Sequence, residues 1–272
     1  MNPIHEYEHD AEKLKTKSHH AHGRCFKLKL SPPQERPEPE DDELVTLPQT
    51  VDHRDKPYMP IPLDQGSLGS CGANAMANAL SFVNGKEGLS PFHPSRLALY
   101  YECRVFVEHQ SPDLDSGVTL ADMCRTVRAF HACPEEDWPY DISKFMLPPP
   151  KKAMLDALQH AKFEGVSVPQ RLSSIKSMLA AGFPIVFGIQ VFESFQSQAV
   201  AETGFVPLPN TSAEACIGGH ALAMMGYDDI KQAFLVLNSW SEHWGNEGFC
   251  WMPYQYILNR QICGDLWCVK AI

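Results

Sequence analysis

From Cys71 the chain reads C-G-A-N-A-M-A-N-A-L-S-F, and Met76, Ala79, Leu80 and Val83 recur at helical spacing. Gly85 follows as a natural stop, so the pattern predicts a helix whose first turn holds Cys71. Pro94–Val107, Thr119–Phe130, Lys151–Phe163 and Ser173–Ala181 repeat the helical pattern, the last closed by Gly182 and Pro184. Cys124 falls on the apolar stripe of the second of these with Leu120 and Val127, which assigns it to the core. The period then changes. Ile185–Val191, His220–Tyr227, Ala233–Trp240, Gly248–Met252 and Leu266–Lys270 read as strands. Helices first and strands second predict an α+β protein with two lobes rather than alternating βαβ units, without internal repeats.

The first 46 residues follow a different pattern. His5 to His22 is polar and rich in histidine, R-C-F-K-L-K-L (Arg24–Leu30) alternates, and S-P-P-Q-E-R-P-E-P-E-D-D-E (Ser31–Glu43) reads as a linker. His19, His20 and His22 have the side chains of a metal site, but a solvated polar patch is the favoured reading, and no metal or cofactor is expected. Leu47–Arg54, L-P-Q-T-V-D-H-R, looks like the start of the folded domain.

Bulk composition narrows the function classes. At 272 residues the chain holds one large domain or two lobes. A formal charge of −10, without a basic block, argues against a nucleic-acid partner. No run of about 18 apolar residues is present, so no membrane partner is expected. The N-terminus lacks a basic start followed by an apolar core, so no secretory signal is visible. Nine cysteines form an odd set without paired C-x-x-C spacing, which fits a reducing compartment better than a disulfide scaffold or a zinc site. The expected location is therefore cytoplasmic or reached by non-classical export.

Candidate chemistry centres on Cys71. Unpaired amides and the positive end of the dipole at a helix start lower a thiol pKa, which suits a nucleophile; the alternative is a small core thiol. A cysteine nucleophile needs a base, and imidazole is the usual one. His220 opens one strand in G-G-H-A-L, and the next strand ends N-S-W. A hairpin centred near Asp229 would oppose His220 to Asn238, Leu222 to Val236 and Met224 to Phe234. Asn238 would then fix the imidazole tautomer and leave the other ring nitrogen for a thiol. A surface histidine, a turn asparagine and a bulge that shifts the register are the competing readings.

Q-G-S-L-G-S-C, G-G-H-A and N-S-W, in this order, resemble the papain-like cysteine peptidases of the papain/cathepsin group. The resemblance covers about residues 47–272 and implies the papain-like two-lobe fold. That fold has a mainly helical lobe (about 47–170), an antiparallel β-barrel-like lobe (171–272) and the active-site cleft between them. It assigns Cys71 as nucleophile, His220 as base, Asn238 as its orienter and Gln65, six residues before Cys71, as side-chain donor of the oxyanion hole. The Cys71 amide would be the second donor. Trp240 matches the tryptophan that shields the histidine–asparagine pair, and Trp244 the one behind the leaving-group side. Asp115-Ser116-Gly117 lies where the family pairs with substrate backbone, and Gly219 completes the expected cleft lining with Ser116 and Gly117. Three positions depart from the pattern: Leu68 replaces a disulfide cysteine, Gly72 the aromatic after the nucleophile, and Ser241 the glycine of N-S-W-G. No disulfide is assigned. Members without signal peptides occur in bacteria and large DNA viruses, and this chain resembles those more than lysosomal cathepsins.

The resemblance implies a cysteine endopeptidase acting on polypeptides as a monomer through a Cys71 thiolate/His220 imidazolium pair and a thioester. It also implies latency, with residues 1–46 as a prosegment lying backwards through the cleft. Cathepsin X has a similarly short propeptide whose cysteine bonds the catalytic thiol, which makes Cys25 the candidate inhibitory cysteine. Two other readings keep the fold: a non-catalytic binding protein, and an acyl-transferase or deamidase using the same triad.

Overall fold

Alanine at alternating positions allows the first helix to be enclosed on nearly all sides. Helix α1 (Cys71–Lys86) buries Ala73, Ala75, Ala77 and Ala79 together with Met76, Leu80, Phe82 and Val83. Small side chains let neighbouring elements approach its backbone, and the helix packs directly on the sheet. It runs one residue past Gly85 instead of stopping there. Gly85 is needed for contact: an added Cβ would lie 2.3 Å from Cβ of Tyr58.

The computed structural model describes residues 26–30, 46–90 and 92–272. Cys25 and the His19, His20, His22 cluster lie outside the described residues. Helix α2 (Arg96–Tyr101) starts at Ser95, whose Oγ accepts from the Ala98 amide, and continues as a π-helical turn, Glu102–Val107. Helix α3 (Leu120–Phe130) is capped by Thr119, whose side chain accepts from the Asp122 amide. Shorter helices follow: α4 (Lys151–Ala157), α5 (Leu172–Ala180), α6 (Gln198–Thr203) and α7 (Tyr254–Leu258).

The expected helix 151–163 is corrected. It ends at Ala157, and Phe163 opens a strand, β2 (Phe163–Ser167). Leu155 and Leu158, which supplied the helical periodicity, face solvent at 53% and 54% exposure, while Phe163 is fully buried.

The other strands are β1 (Thr50–Asp52), β3 (Ile185–Phe192), β4 (Cys216–Asp228), β5 (Ala233–Leu237), β6 (Phe249–Pro253) and β7 (Cys263–Ala271). Their order is β2-β7-β3-β4-β5-β6, every pair antiparallel, with β1 added to the outer end of β4. Strands β1 and β2 thus bring the first half of the chain into the sheet of the second.

Period-2 alternation sends the sheet's two faces into two cores. Val186, Ala221, Ala223, Met225 and Leu235 join α1, α2 and α3 in one. Ile185, Phe187, Ile189, Leu222, Met224 and Val236 join Ile175 and Leu179 of α5 in the other. The result is the expected α+β, two-lobe papain-like architecture. Among the described residues no helix is long and apolar enough to cross a membrane.

Helix α3 approaches β2 at Gly165, where an added Cβ would lie 2.4 Å from Cys124 Sγ. Gly165→Val is expected to overpack this contact by about 1–3 kcal/mol and lower the melting temperature by several degrees. Gly264→Ala, whose Cβ would meet nothing within 4 Å, is expected to stay within about 0.5 kcal/mol of wild type. Thermal unfolding followed by circular dichroism checks both.

Candidate active site

The loop that leads into α1 is stitched to the end of β5. The Gln65 amide donates to Ser239 O at 3.0 Å and the Ser241 amide to Leu63 O at 2.9 Å, with Asp64 bridging Trp240 between them. The Gln65 side chain is fully buried and held at both ends. Its Oε1 accepts from Ser239 Oγ at 2.7 Å, and its Nε2 donates to Leu68 O at 3.0 Å. These partners fix which end of the amide carries the N–H groups. Tyr140 Oη donates to Gln65 O at 2.9 Å and ties the same loop to the helical lobe.

On the facing wall, His220 Nε2 lies 2.8 Å from Asn238 Oδ1, with both residues fully buried. Asn238 Oδ1 also accepts from the Ser239 amide at 2.8 Å. An amide N–H can only donate, so this atom is the carbonyl oxygen, and His220 must donate through Nε2–H. Nδ1 is therefore the basic nitrogen of the neutral ring.

The expected register is corrected while the pair survives. Strands β4 and β5 align Ala223 with Leu237 and Met224 with Val236, and a bulge between Met224 and Gly226 then brings Tyr227 opposite Phe234. The turn is Asp229–Gln232, with Gln232 at φ 51°, so the hairpin centre lies later than Asp229. The slip before the bulge is two residues, and a shift of two keeps side chains on the same face. His220 therefore reaches Asn238 diagonally instead of directly across.

An aromatic cluster closes over this pair. Trp240 stacks on His220 with centroids 5.0 Å apart and rings inclined at 26°, and Trp244 meets Trp240 edge-on at 5.1 Å. Phe195, which the sequence pattern did not single out, packs against Trp240 at 5.5 Å and Trp244 at 5.8 Å. Trp240 is 1% exposed, so the His220–Asn238 bond sits where water cannot compete.

Cys71 is the first residue of α1 and fully buried. Ser70 gives the helix no side-chain cap. The helix packs against β4, the strand that carries His220. Gly72 leaves space for Val118, whose Cγ2 would lie 2.9 Å from an added Cβ, so the aromatic usual in the family at this position is sterically excluded. Ser241 adopts φ 66°, in the left-handed region that glycine enters more readily than serine. Among the described residues, Cys103, Cys124, Cys133, Cys216, Cys250, Cys263 and Cys268 are free thiols. Burial pushes Cys103, Cys124, Cys250 and Cys263 far above the ordinary thiol range, which makes them inert packing groups.

Residues Phe26–Leu30 run through the cleft as a strap. Lys27 bridges Gly219 in parallel, the Leu28 amide donates to Gly219 O at 3.1 Å, and the Lys29 amide donates to Val118 O at 3.3 Å. Glycines on both rims allow this approach: an added Cβ would lie 1.8 Å from Lys27 O at Gly117 and 2.2 Å from Leu28 O at Gly219. Ser116 donates its hydroxyl to Gly117 O at 2.9 Å on the same rim. Phe26 lies edge-on to His220 at 5.9 Å and to Trp240 at 5.7 Å. Leu28 joins the core cluster that contains Cys71. The two lysines face the opposite rim, Lys27 Nζ 2.9 Å from Asp115 and Lys29 Nζ 2.9 Å from Glu108.

Burial of Asp115 opposes its ionisation, but donors from Tyr100, Lys27 and the Gly69 amide outweigh it and hold the carboxyl below the ordinary 3.8. A depressed pKa in the docked state means the pair contributes fully above that ordinary value and is lost as pH falls through the lower docked one. Protection factors of the Leu28 and Lys29 amides are accordingly expected to fall as pH drops below about 4 while those of β4 and β5 hold. Asp115→Asn is expected to remove that pH dependence. Native-state hydrogen exchange, corrected for intrinsic rates, reads both.

Comparison with known proteins agrees with this geometry. A family model described as papain family cysteine protease matches residues 47–264. The chain is 38% identical over 239 residues to an uncharacterised peptidase C1-like protein of Acanthamoeba polyphaga mimivirus, covering 85% of this chain and 73% of that one. It is 24% identical over 217 residues to cysteine proteinase 2 of Leishmania pifanoi, covering 76% of this chain and 45% of that one. Among solved structures, xylellain, a cysteine protease from Xylella fastidiosa, superposes with a TM-score of 0.80 at 31% identity, covering 92% of this chain and 97% of that one. A ragweed pollen allergen cysteine protease, solved in its proform, shares the fold at a TM-score of 0.64 and 19% identity, covering 84% of this chain and 66% of that one.

Proposed function

The chain belongs to the papain family of cysteine proteases, and we propose that it is a latent endopeptidase in which Cys71 is the nucleophile and His220 the base. Residues 47–272 form the peptidase domain in this reading and residues 1–46 its prosegment. The observation that carries it is the buried 2.8 Å His220–Asn238 bond, its acceptor fixed by the Ser239 amide, on the strand against which the Cys71 helix packs.

The chemistry is acyl transfer. His220 Nδ1 holds the thiol proton as imidazolium, and Asn238 keeps the ring oriented through Nε2. Cys71 Sγ attacks the peptide carbonyl, and the resulting oxyanion accepts from the Cys71 amide and Gln65 Nε2. His220 gives its proton to the leaving amine as the C–N bond breaks. Water then attacks the thioester, His220 takes its proton, and the acid is released with the thiol restored. Ser116, Gly117 and Gly219 line the cleft where substrate main chain lies, with Trp240 and Trp244 on the leaving-group side.

Latency rests on the strap, which occupies the space a substrate needs and packs Phe26 on His220. The neighbouring Cys25 is the candidate thiol that masks Cys71. Cys25→Ser is expected to shorten latency under oxidising conditions, read as the lag before turnover.

Three variants test the assignment. Cys71→Ala is expected to abolish both turnover of a dipeptidyl fluorogenic substrate and labelling by an epoxysuccinyl reagent. Gln65→Ala is expected to lose about 10²–10³ in kcat while Cys71 still labels. Combined Lys27→Ala and Leu28→Ala substitution is expected to raise the labelling rate of the full chain. Wild-type turnover in Cys71→Ala would overturn the reading.

A further inference from the structure

The strap is amphipathic, and its polar side reads a feature of the cleft that the peptidase assignment does not use. Phe26, Leu28 and Leu30 alternate with Lys27 and Lys29, as an extended segment requires. Leu28 and Leu30 turn to the floor, where their Cδ2 atoms would lie 2.6 and 2.4 Å from a Cβ added at Gly188. Lys27 turns to the rim, where its ammonium donates to the Asp115 carboxylate at 2.9 Å and to Asp115 O at 2.8 Å.

Asp115 is a built acceptor. The Gly69 amide donates to its two carboxylate oxygens at 3.1 and 3.2 Å, and Tyr100 Oη donates to Oδ1 from the buried side. Tyr100 is fully buried, and its ring carries the Arg104 guanidinium 4.6 Å from its centroid. Arg104, fully buried as well, donates to the carbonyls of Pro112 and Leu114 and so pins the loop that ends at Asp115. The carboxylate side chain keeps 19% exposure, on the side where Lys27 sits.

The position of this carboxylate identifies what it reads. His220 delivers a proton to the leaving amine, so the side of the cleft beyond His220 and Trp240, covered by Phe26, is the leaving-group side. The acyl side runs the other way, from Cys71 past Gly69 and Asp115 to the apolar floor under Leu28. The first side chain on the acyl side of the scissile bond therefore falls beside Asp115, and the second falls on that floor.

We propose that Asp115 makes the enzyme selective for lysine or arginine as the residue that donates the scissile carbonyl, with Lys27 as the internal mimic of that residue. The carboxylate is fixed by the Gly69 amide and the Tyr100 hydroxyl, and the Lys27 ammonium meets it from the strap in the cleft. A neutral amide or aliphatic side chain would leave that charge without its partner. The inference rests on Cys71 and His220 acting as nucleophile and base.

The test uses the full chain, as wild type and as Lys27→Ala, with active sites counted by an epoxysuccinyl label. Four fluorogenic substrates share an acyl group and leucine and differ only in the residue before the scissile bond: arginine, lysine, glutamine or norleucine. The expected ratio of kcat/KM for arginine over glutamine is on the order of 10–100-fold, collapsing below about 3-fold in Asp115→Asn. If Asp115→Asn does not fold, the same ion pair is read in the Lys27→Ala chain as a several-fold fall of the ratio between 0.05 and 1 M salt. A ratio near one in labelled, active enzyme overturns the inference and leaves the peptidase reading standing. A preference that persists in Asp115→Asn, or labelling without cleavage of any of the four, overturns it too. Absence of both labelling and cleavage in the Lys27→Ala chain under reducing conditions and after proteolytic removal of residues 1–46 overturns the peptidase reading and the inference with it.

Discussion

One short antiparallel contact, Leu63–Gln65 against Ser239–Ser241, joins the two walls of the cleft. Gln65 precedes Cys71 by six residues in the loop that begins α1, and Ser239 follows Asn238 at the end of β5. The same residues that hold the loop also fix the chemistry. Ser239 donates its hydroxyl to Gln65 and its amide to Asn238, so one residue orients both the Gln65 side-chain amide and the acceptor of the histidine. These bonds are buried, where a hydrogen bond is stronger than in water and an unmade one costs about 1–3 kcal/mol.

A second constraint is backbone approach. Gly117, Gly218 and Gly219 line the path of the strap, and a Cβ at any of them would fall within 2.6 Å of its atoms. A cleft that accepts extended peptide by main-chain pairing must be bare on both rims, and specificity then has to come from side chains set beside the path. Asp115 on one rim and the apolar floor around Gly188 on the other divide the strap's alternating residues between charge and hydrocarbon.

Much of this was legible in the sequence because it is local. The α1 and α3 patterns, the strand β3 run and the order of the Cys71, His220 and Asn238 motifs each lie within a short window. The β4–β5 register was read two residues off because a bulge at Met225 and a four-residue turn cannot be seen in alternation alone. The His220–Asn238 pairing survived because an even slip preserves the face. Strand β2 was hidden by Leu155 and Leu158, apolar residues at helical spacing that face solvent. The Asp115 network escaped entirely. Its donors come from Lys27, Gly69 and Tyr100, brought together by the fold, and no spacing in the chain announces them.

The strap's grip bears on the latency proposed for this chain. Lys27 and Lys29 are about two-fifths exposed in their side chains, while their partners Asp115 and Glu108 are largely covered. Two backbone amide bonds to the rims add modestly. Leu28 adds apolar burial in the core cluster that contains Cys71, and because the strap is covalently joined to the domain it competes at an effective concentration of about millimolar. Cutting the chain between the strap and residue 47 removes that advantage without changing a single contact. In the proposed latent form, closure of the cleft therefore draws on the tether as well as on the fit.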